Sequence, residues 1–132
     1  MATCVDNHIV SPTVLIVDDH ARFRATVRAV LEADGYDVIG EASDGNAGIA
    51  AVRELEPDVV LLDVRLPDID GFDIATLLTS NGHGPAVIVT SSSDDPLYPD
   101  RAACCGACGF IAKHDLCGAA LDRLLDDQIS NQ

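Results

Sequence analysis

Positive charge is scarce in this chain. Lys and Arg total 8 against 22 Asp and Glu over 132 residues, a formal net charge of −14. Binding to a phosphate backbone draws on clustered cations, so nucleic acid is not expected as a direct partner. Long apolar runs are also lacking, and none approaches the roughly 20 residues that a bilayer-spanning helix needs. The start, MATCVDNHIVSPT, has no basic segment ahead of an apolar stretch. No membrane partner is expected, and a soluble cytoplasmic protein is. The five cysteines are odd in number and come without an evident export signal. That argues against a disulfide framework and for reduced thiols. No internal repeat or low-complexity tract appears, and a length near the commonest domain size leaves no room for a second core.

What the chain does have is 48% hydrophobic residues, concentrated in short runs. VLIV stops at Asp18 and Asp19, VVLL at Asp63, AVIV at Thr90 and GFIA at Lys113. Runs of four rich in Val, Ile and Leu, separated by helix-length segments, read as strands buried on both faces of a parallel sheet. Parallel strands end on one edge, where open α/β folds place their ligands. Three carboxylates, a hydroxyl and an ammonium are thereby delivered to one place.

The pattern predicts a loose N-terminal extension over 1–12, a domain over 13–127 and a short tail over 128–132. Phe23, Val27, Val30 and Leu31 recur at helical spacing over 21–33, and Asp34-Gly35 ends that helix. A second strand follows over 36–41, then a small-residue helix from the SDG at 43–45 to about Glu54, stopped by Pro57. The third strand covers 59–62, the third helix 72–78, the fourth strand 86–89 and the fifth 110–112. The run SSSDD at 91–95 is expected to cap a short fourth helix, with Pro96 and Pro99 in its first turn. Leu116, Leu121, Leu124 and Leu125 mark a closing helix. Five alternating β and α elements imply a doubly wound α/β fold, a five-stranded parallel sheet with five helices on its two faces and right-handed crossovers; the flavodoxin-like strand order 2-1-3-4-5 is the one expected for it.

In that order the strands before Asp18, Asp19 and Asp63 are neighbours, so the carboxylates crowd. Like charges ~4 Å apart at an effective dielectric of about 20 cost roughly 4 kcal/mol per pair, and a hard divalent cation is the natural occupant. Mg²⁺ suits the site because it takes few carboxylates and keeps positions open for phosphate oxygens. An aspartate beside such a cation is also a nucleophile for phosphoryl transfer. Lys113 would pair with phosphoryl oxygens, and the Thr90 hydroxyl would donate to another.

VLIVDDH, VVLLDVRLPDIDG, VIVTSS and GFIAK, in this order and spacing, resemble the receiver domain of bacterial two-component response regulators over about Thr13 to Leu125. DDHARFR, GEASDG and DVRLP resemble the NarL-type receivers, whose usual companion is a helix-turn-helix output domain. The resemblance implies Asp63 as phosphoacceptor. It also implies Asp18, Asp19 and Asp63 as Mg²⁺ ligands with the Arg65 backbone carbonyl, Lys113 as the phosphate-pairing lysine, and Thr90 and Phe110 as switch hydroxyl and coupled ring. Two departures stand out: His114 replaces the proline that often follows the lysine with a cis peptide, and Phe110 stands where tyrosine is frequent.

The implied function is a phosphorelay switch rather than an enzyme. It would accept a phosphoryl group from a histidine kinase or phosphotransfer protein and lose it by hydrolysis. Signalling would run to a downstream protein, or to a second copy by self-association, through a face made by helix 4, strand 5 and helix 5. Alternatives are a phosphorylation-independent interaction module and the isolated receiver of a DNA-binding regulator. An aspartyl-phosphate phosphatase of the haloacid dehalogenase type fits less well, because it needs Asp two residues after its nucleophile and position 65 is Arg. Asp18 and Asp19 could alternatively cap the first helix. Cys105 and Cys108 form a C-x-x-C with no second pair at metal-binding spacing. They and Cys104 read as small packing residues, with thiol redox sensing and metal binding as weaker readings. His20 is expected at the rim of the site, facing solvent, and His8, His83 and His114 on the surface.

Overall fold

The computed structural model describes residues 11–93 and 95–130, and the side chains of these up to Asp126. The segment 1–10 with Cys4 and His8, Asp94 of the SSSDD run, and the last two residues of the expected tail lie outside the described residues. Five strands, β1 (Thr13–Val17), β2 (Asp37–Ala42), β3 (Val59–Asp63), β4 (Ala86–Ser91) and β5 (Gly109–Ala112), form one sheet in the order β2-β1-β3-β4-β5. Every pairing is parallel. Between and after them run α1 (Ala21–Ala33), α2 (Gly45–Leu55), α3 (Gly71–Thr79), α4 (Tyr98–Cys104), a 3-10 turn (Lys113–Asp115) and α5 (Gly118–Ser130). This is the α/β architecture the strand-end pattern implied.

Alternation along the strands splits the core in two, because successive side chains face opposite sides of a sheet. Leu15, Val17, Val60, Leu62, Val87 and Val89 pack with Phe72 and Ile74 of α3 and Tyr98 and Ala102 of α4. Val14, Ile16, Val59, Leu61, Ile88 and Ile111 pack with Val27 and Leu31 of α1 and Leu121 of α5. Two buried faces explain why these runs are continuously apolar. Helix α5 is further tied down by Gly118 N donating to Asp34 Oδ2 at 2.8 Å, and by the Tyr36 hydroxyl donating to Asp122.

Two helix boundaries differ from the sequence reading. Helix α4 begins only at Tyr98, its N-cap is Leu97 with no side-chain bond, and Pro96 precedes it. Ser91 instead finishes β4, its hydroxyl accepting from Ser93 N at 3.0 Å, and Asp95 Oδ1 accepts from Leu97 N. Ser91, Ser93 and Asp95 thus turn the chain out of β4, and the helix has Leu97 as its N-cap instead. Leu116 lies ahead of α5, in the link from the 3-10 turn, and contributes to the core from there.

Candidate functional site

Strand register assembles the site. Asp63 is the last residue of β3 and pairs across to Thr90 of β4, which pairs in turn with Ile111 of β5. Asp18 and Asp19 follow β1, the neighbour of β3, and Asp18 N donates to Ala42 O at the end of β2. Asp18 is 1% exposed and Asp63 3%, whereas Asp19 is at the surface. One carboxyl oxygen each from Asp18, Asp19 and Asp63 and a ring nitrogen of His20 lie within 4.8 Å of one another.

Lys113, the chain's one lysine, enters from the end of β5. Its Nζ stands 2.6 Å from Asp18 Oδ2 and 3.5 Å from Asp63 Oδ2, and its side chain is 12% exposed. The carboxylates are therefore not bare, as the sequence alone suggested: an internal ammonium lies against two of them. That ammonium also sits 4.4 Å from the centre of the Phe23 ring, so an α1 aromatic supports it by a cation–π contact. Despite Lys113, burial first and the Asp18 charge second push the Asp63 carboxyl above its ordinary value. Lys113 and the Arg65 N–H, 3.3 Å from Asp63 Oδ1, pull the other way.

The loop after Asp63 is held from both sides. Val64 N donates to Thr90 O, and Gly71 N donates to Val64 O. A Cβ on Gly71 would lie 2.2 Å from the Asp63 carbonyl oxygen, so α3 can start this close only with glycine there. Asp68 accepts from Gly45 N, Asn46 N and Ile69 N at 2.7 to 2.9 Å, pinning the loop to the start of α2. The backbone donors, Asn46 first, hold its carboxyl below the usual range. Neither the Asp68 tether nor the Phe23 support was anticipated, since both depend on long-range placement.

The remaining expected residues are placed as follows. Neither Asp18 nor Asp19 caps α1: its N-cap is His20, without a side-chain bond. His20 is 66% exposed, and its Nδ1 is 3.1 Å from both Asp18 Oδ1 and Asp19 Oδ1. Thr90 is buried. Phe110 pairs with Val89 and packs its ring at a tilt against Tyr98, centroids 5.6 Å apart, and Tyr98 packs likewise against Phe72 at 5.5 Å. This ladder joins α3, α4 and β5. Lys113-His114 is not a cis peptide; the pair opens the 3-10 turn, and His114 and His83 are exposed. Cys105 packs into the first core with its thiol donating to Ala102 O, Cys108 packs into the second, and burial pushes the Cys108 thiol up. Among the described residues the cysteines are free thiols and join no metal-capable cluster.

The donor set fits a hard divalent cation. It is oxygen-rich and gathered at one point, and the buried Asp18 Oδ2 receives no hydrogen bond, being faced only by the Lys113 ammonium outside hydrogen-bond alignment. Comparison with known proteins agrees in outline. A family profile described as the response regulator receiver domain matches residues 14–120. The virulence transcription regulator BvgA of Bordetella pertussis is 38% identical over 102 residues, 77% of this chain and 49% of its own length. The response regulator GacA of Pseudomonas aeruginosa is 38% identical over 114 residues, 85% of this chain and 51% of its length. The chain thus spans about half the length of these relatives. Among solved structures, the receiver domain of the NarL regulator of Mycobacterium tuberculosis superposes with a TM-score of 0.77 at 34% identity, covering 86% of this chain and 96% of that one. No described helix is long and apolar enough to cross a membrane.

Proposed function

This chain belongs to the response regulator receiver family, and from that premise we propose that Asp63 is its phosphoacceptor, with Asp18, Asp19, Asp63 and the Arg65 carbonyl holding Mg²⁺. The observation that carries the reading is the buried Asp63 carboxylate set beside Asp18 with Lys113 Nζ against both. An Asp63 oxygen attacks phosphorus, an acyl-phosphate P–O bond forms, and the bond from phosphorus to the donor breaks, its electron pair leaving with the donor. On a histidine kinase or phosphotransfer protein the departing group is an imidazole nitrogen. Water attack on the same phosphorus later returns the carboxylate. When bound, the cation neutralises charge on the carboxylates and the phosphoryl oxygens. Lys113 is positioned to exchange its carboxylate contacts for phosphoryl oxygens, and Thr90, level with Asp63, supplies a hydroxyl from the next strand.

Incubation with Mg²⁺ and acetyl phosphate should give one phosphoryl adduct by intact mass, absent in Asp63→Asn and in chelator. An adduct that persists in Asp63→Asn, or that maps to a histidine, would overturn the assignment. Absence of any adduct would leave a phosphorylation-independent interaction module.

The signal is read, in this proposal, on the face of α4, β5 and α5, by a downstream protein or a second copy. Thr90 and Phe110 lie on adjacent strands, and the Phe72–Tyr98–Phe110 ladder connects the β4–β5 edge to α4. Helix α4 spans only 7 residues. Hydrogen exchange with and without beryllofluoride should differ mainly between Thr90 and Leu121. Differences confined to α1 and α2 would sink this face as the output.

A further inference from the structure

We propose that His20 is a further metal donor at the acidic cluster, giving the site a preference for late divalent transition metals, the Co²⁺ and Ni²⁺ class, over Mg²⁺. The inference rests on the reading that Asp18, Asp19 and Asp63 hold a divalent cation, and adds a ligand and a selectivity to it.

Geometry is the first support. Adjacent ligands on an octahedral ion bonded at about 2.0–2.1 Å sit roughly 3 Å apart. His20 Nδ1 is 3.1 Å from Asp18 Oδ1 and 3.1 Å from Asp19 Oδ1, so two edges of such a polyhedron already have their length. The residue is held at its backbone, where His20 N donates to Asp18 Oδ1 at 2.8 Å and His20 O accepts from Arg24 N at 3.1 Å. Its ring stands at the solvent side while Asp18 and Asp63 form the floor, so an ion arriving from water meets the imidazole first. The second support is the buried Asp18 carboxylate: its Oδ2 receives no hydrogen bond and has the Lys113 ammonium 2.6 Å away as counter-charge, while its Oδ1 is the oxygen that faces the His20 ring.

Chemistry decides the class of ion. Oxygen donors alone suit Mg²⁺, Ca²⁺ and Mn²⁺, whereas imidazole suits Zn²⁺, Cu²⁺ and Ni²⁺, and affinity for a mixed N,O site rises toward the end of the first-row series. A ring nitrogen among three carboxylates therefore raises affinity for late metals while leaving Mg²⁺, which gains little from nitrogen, nearly unaffected.

Co²⁺ and Mg²⁺ binding to the full chain and to His20→Gln, measured by calorimetry, test this. His20→Gln should weaken Co²⁺ by about tenfold or more, the scale on which metal-site substitutions act, and leave Mg²⁺ within about twofold. Proton NMR of the Co²⁺ form should show one solvent-exchangeable, strongly shifted imidazole N–H that His20→Gln lacks and excess Mg²⁺ removes. Displacement by Mg²⁺ separates this site from any cobalt held by the thiols. Equal Co²⁺ affinities, equal losses for both metals, or no Mg²⁺-displaceable imidazole signal would overturn the inference while Mg²⁺ binding still stood. Failure of both proteins to bind Mg²⁺ would instead remove the cation site, and this inference with it.

Discussion

In chelator, Asp63→Asn should melt a few degrees above the wild type. The substitution removes one charge from three crowded carboxylates with almost no change in volume, and leaves Lys113 to Asp18 alone, its nearer partner. Lys113 offsets part of the repulsion, so the gain is on the order of 1 kcal/mol rather than the roughly 4 kcal/mol of a bare pair. For a domain of this size 1 kcal/mol corresponds to roughly 3–5 °C. The pH dependence has a definite sign. Asp63 is pushed above its ordinary value in the fold, by burial first and Asp18 second. Its protonated form is therefore favoured on folding, and that stability is lost as pH rises from the ordinary carboxylate range through the raised folded value. Wild type and Asp63→Asn should thus converge in acid and separate toward neutral pH. Saturating Mg²⁺ should shrink the gap, because the wild type binds the ion with one ligand more. Melting curves across pH, in chelator and in Mg²⁺, give the comparison; a lower melting point for Asp63→Asn in chelator would mean the carboxylates are not in conflict.

Much of this arrangement was legible in the sequence because it depends on strand ends. A doubly buried strand must be apolar throughout, so its last apolar residue locates the functional edge to within a residue or two, as at Asp18, Asp63 and Lys113. With the flavodoxin-like order 2-1-3-4-5, which the sheet has, the grouping of Asp18, Asp19 and Asp63 follows from those strand ends. Less legible was whatever depends on a loop's path. SSSDD has the composition of a helix cap, yet Ser91 is a strand residue and Asp95 bonds Leu97 N, because Pro96 delays the helix start. Asp68 reads as a turn residue, and only the folded chain shows it receiving the backbone donors of α2. Phe23 looked like one more apolar position on an amphipathic helix. That it lies beneath the Lys113 ammonium depends on how α1 meets the end of β5, which periodicity does not encode. Lys113 itself was expected to face a phosphoryl group; that it neutralises Asp18 beforehand is a consequence of the 2.6 Å approach.

The same approach makes Lys113→Met the most damaging single change expected at the site. Methionine keeps an unbranched apolar side chain and removes the ammonium with its contact on Phe23, so loss of charge is the main part of the effect. What remains is Asp18, 1% exposed, beside Asp63, 3% exposed, with no cation between them. Removing one partner of a buried ion pair costs roughly 3–5 kcal/mol because the other charge stays desolvated. The low end applies here, since the cluster opens toward Asp19 and can take up a proton. A loss near 3 kcal/mol is a large share of a total of roughly 5–15 kcal/mol and amounts to a melting point lower by about ten degrees in chelator. Mg²⁺ should then rescue Lys113→Met by more than it stabilises the wild type, because the ion no longer competes with an ammonium for Asp18 and Asp63. Addition of Asp63→Asn to Lys113→Met should recover part of the loss in chelator, so the two substitutions couple strongly. Thermal melts of the two single variants and the double, each titrated with Mg²⁺, read all three effects. If Lys113→Met melts with the wild type in chelator and gains no more from Mg²⁺, then Lys113 is not the internal counter-charge of this site, and the pairing that underlies the proposed phosphoryl chemistry has to be given up.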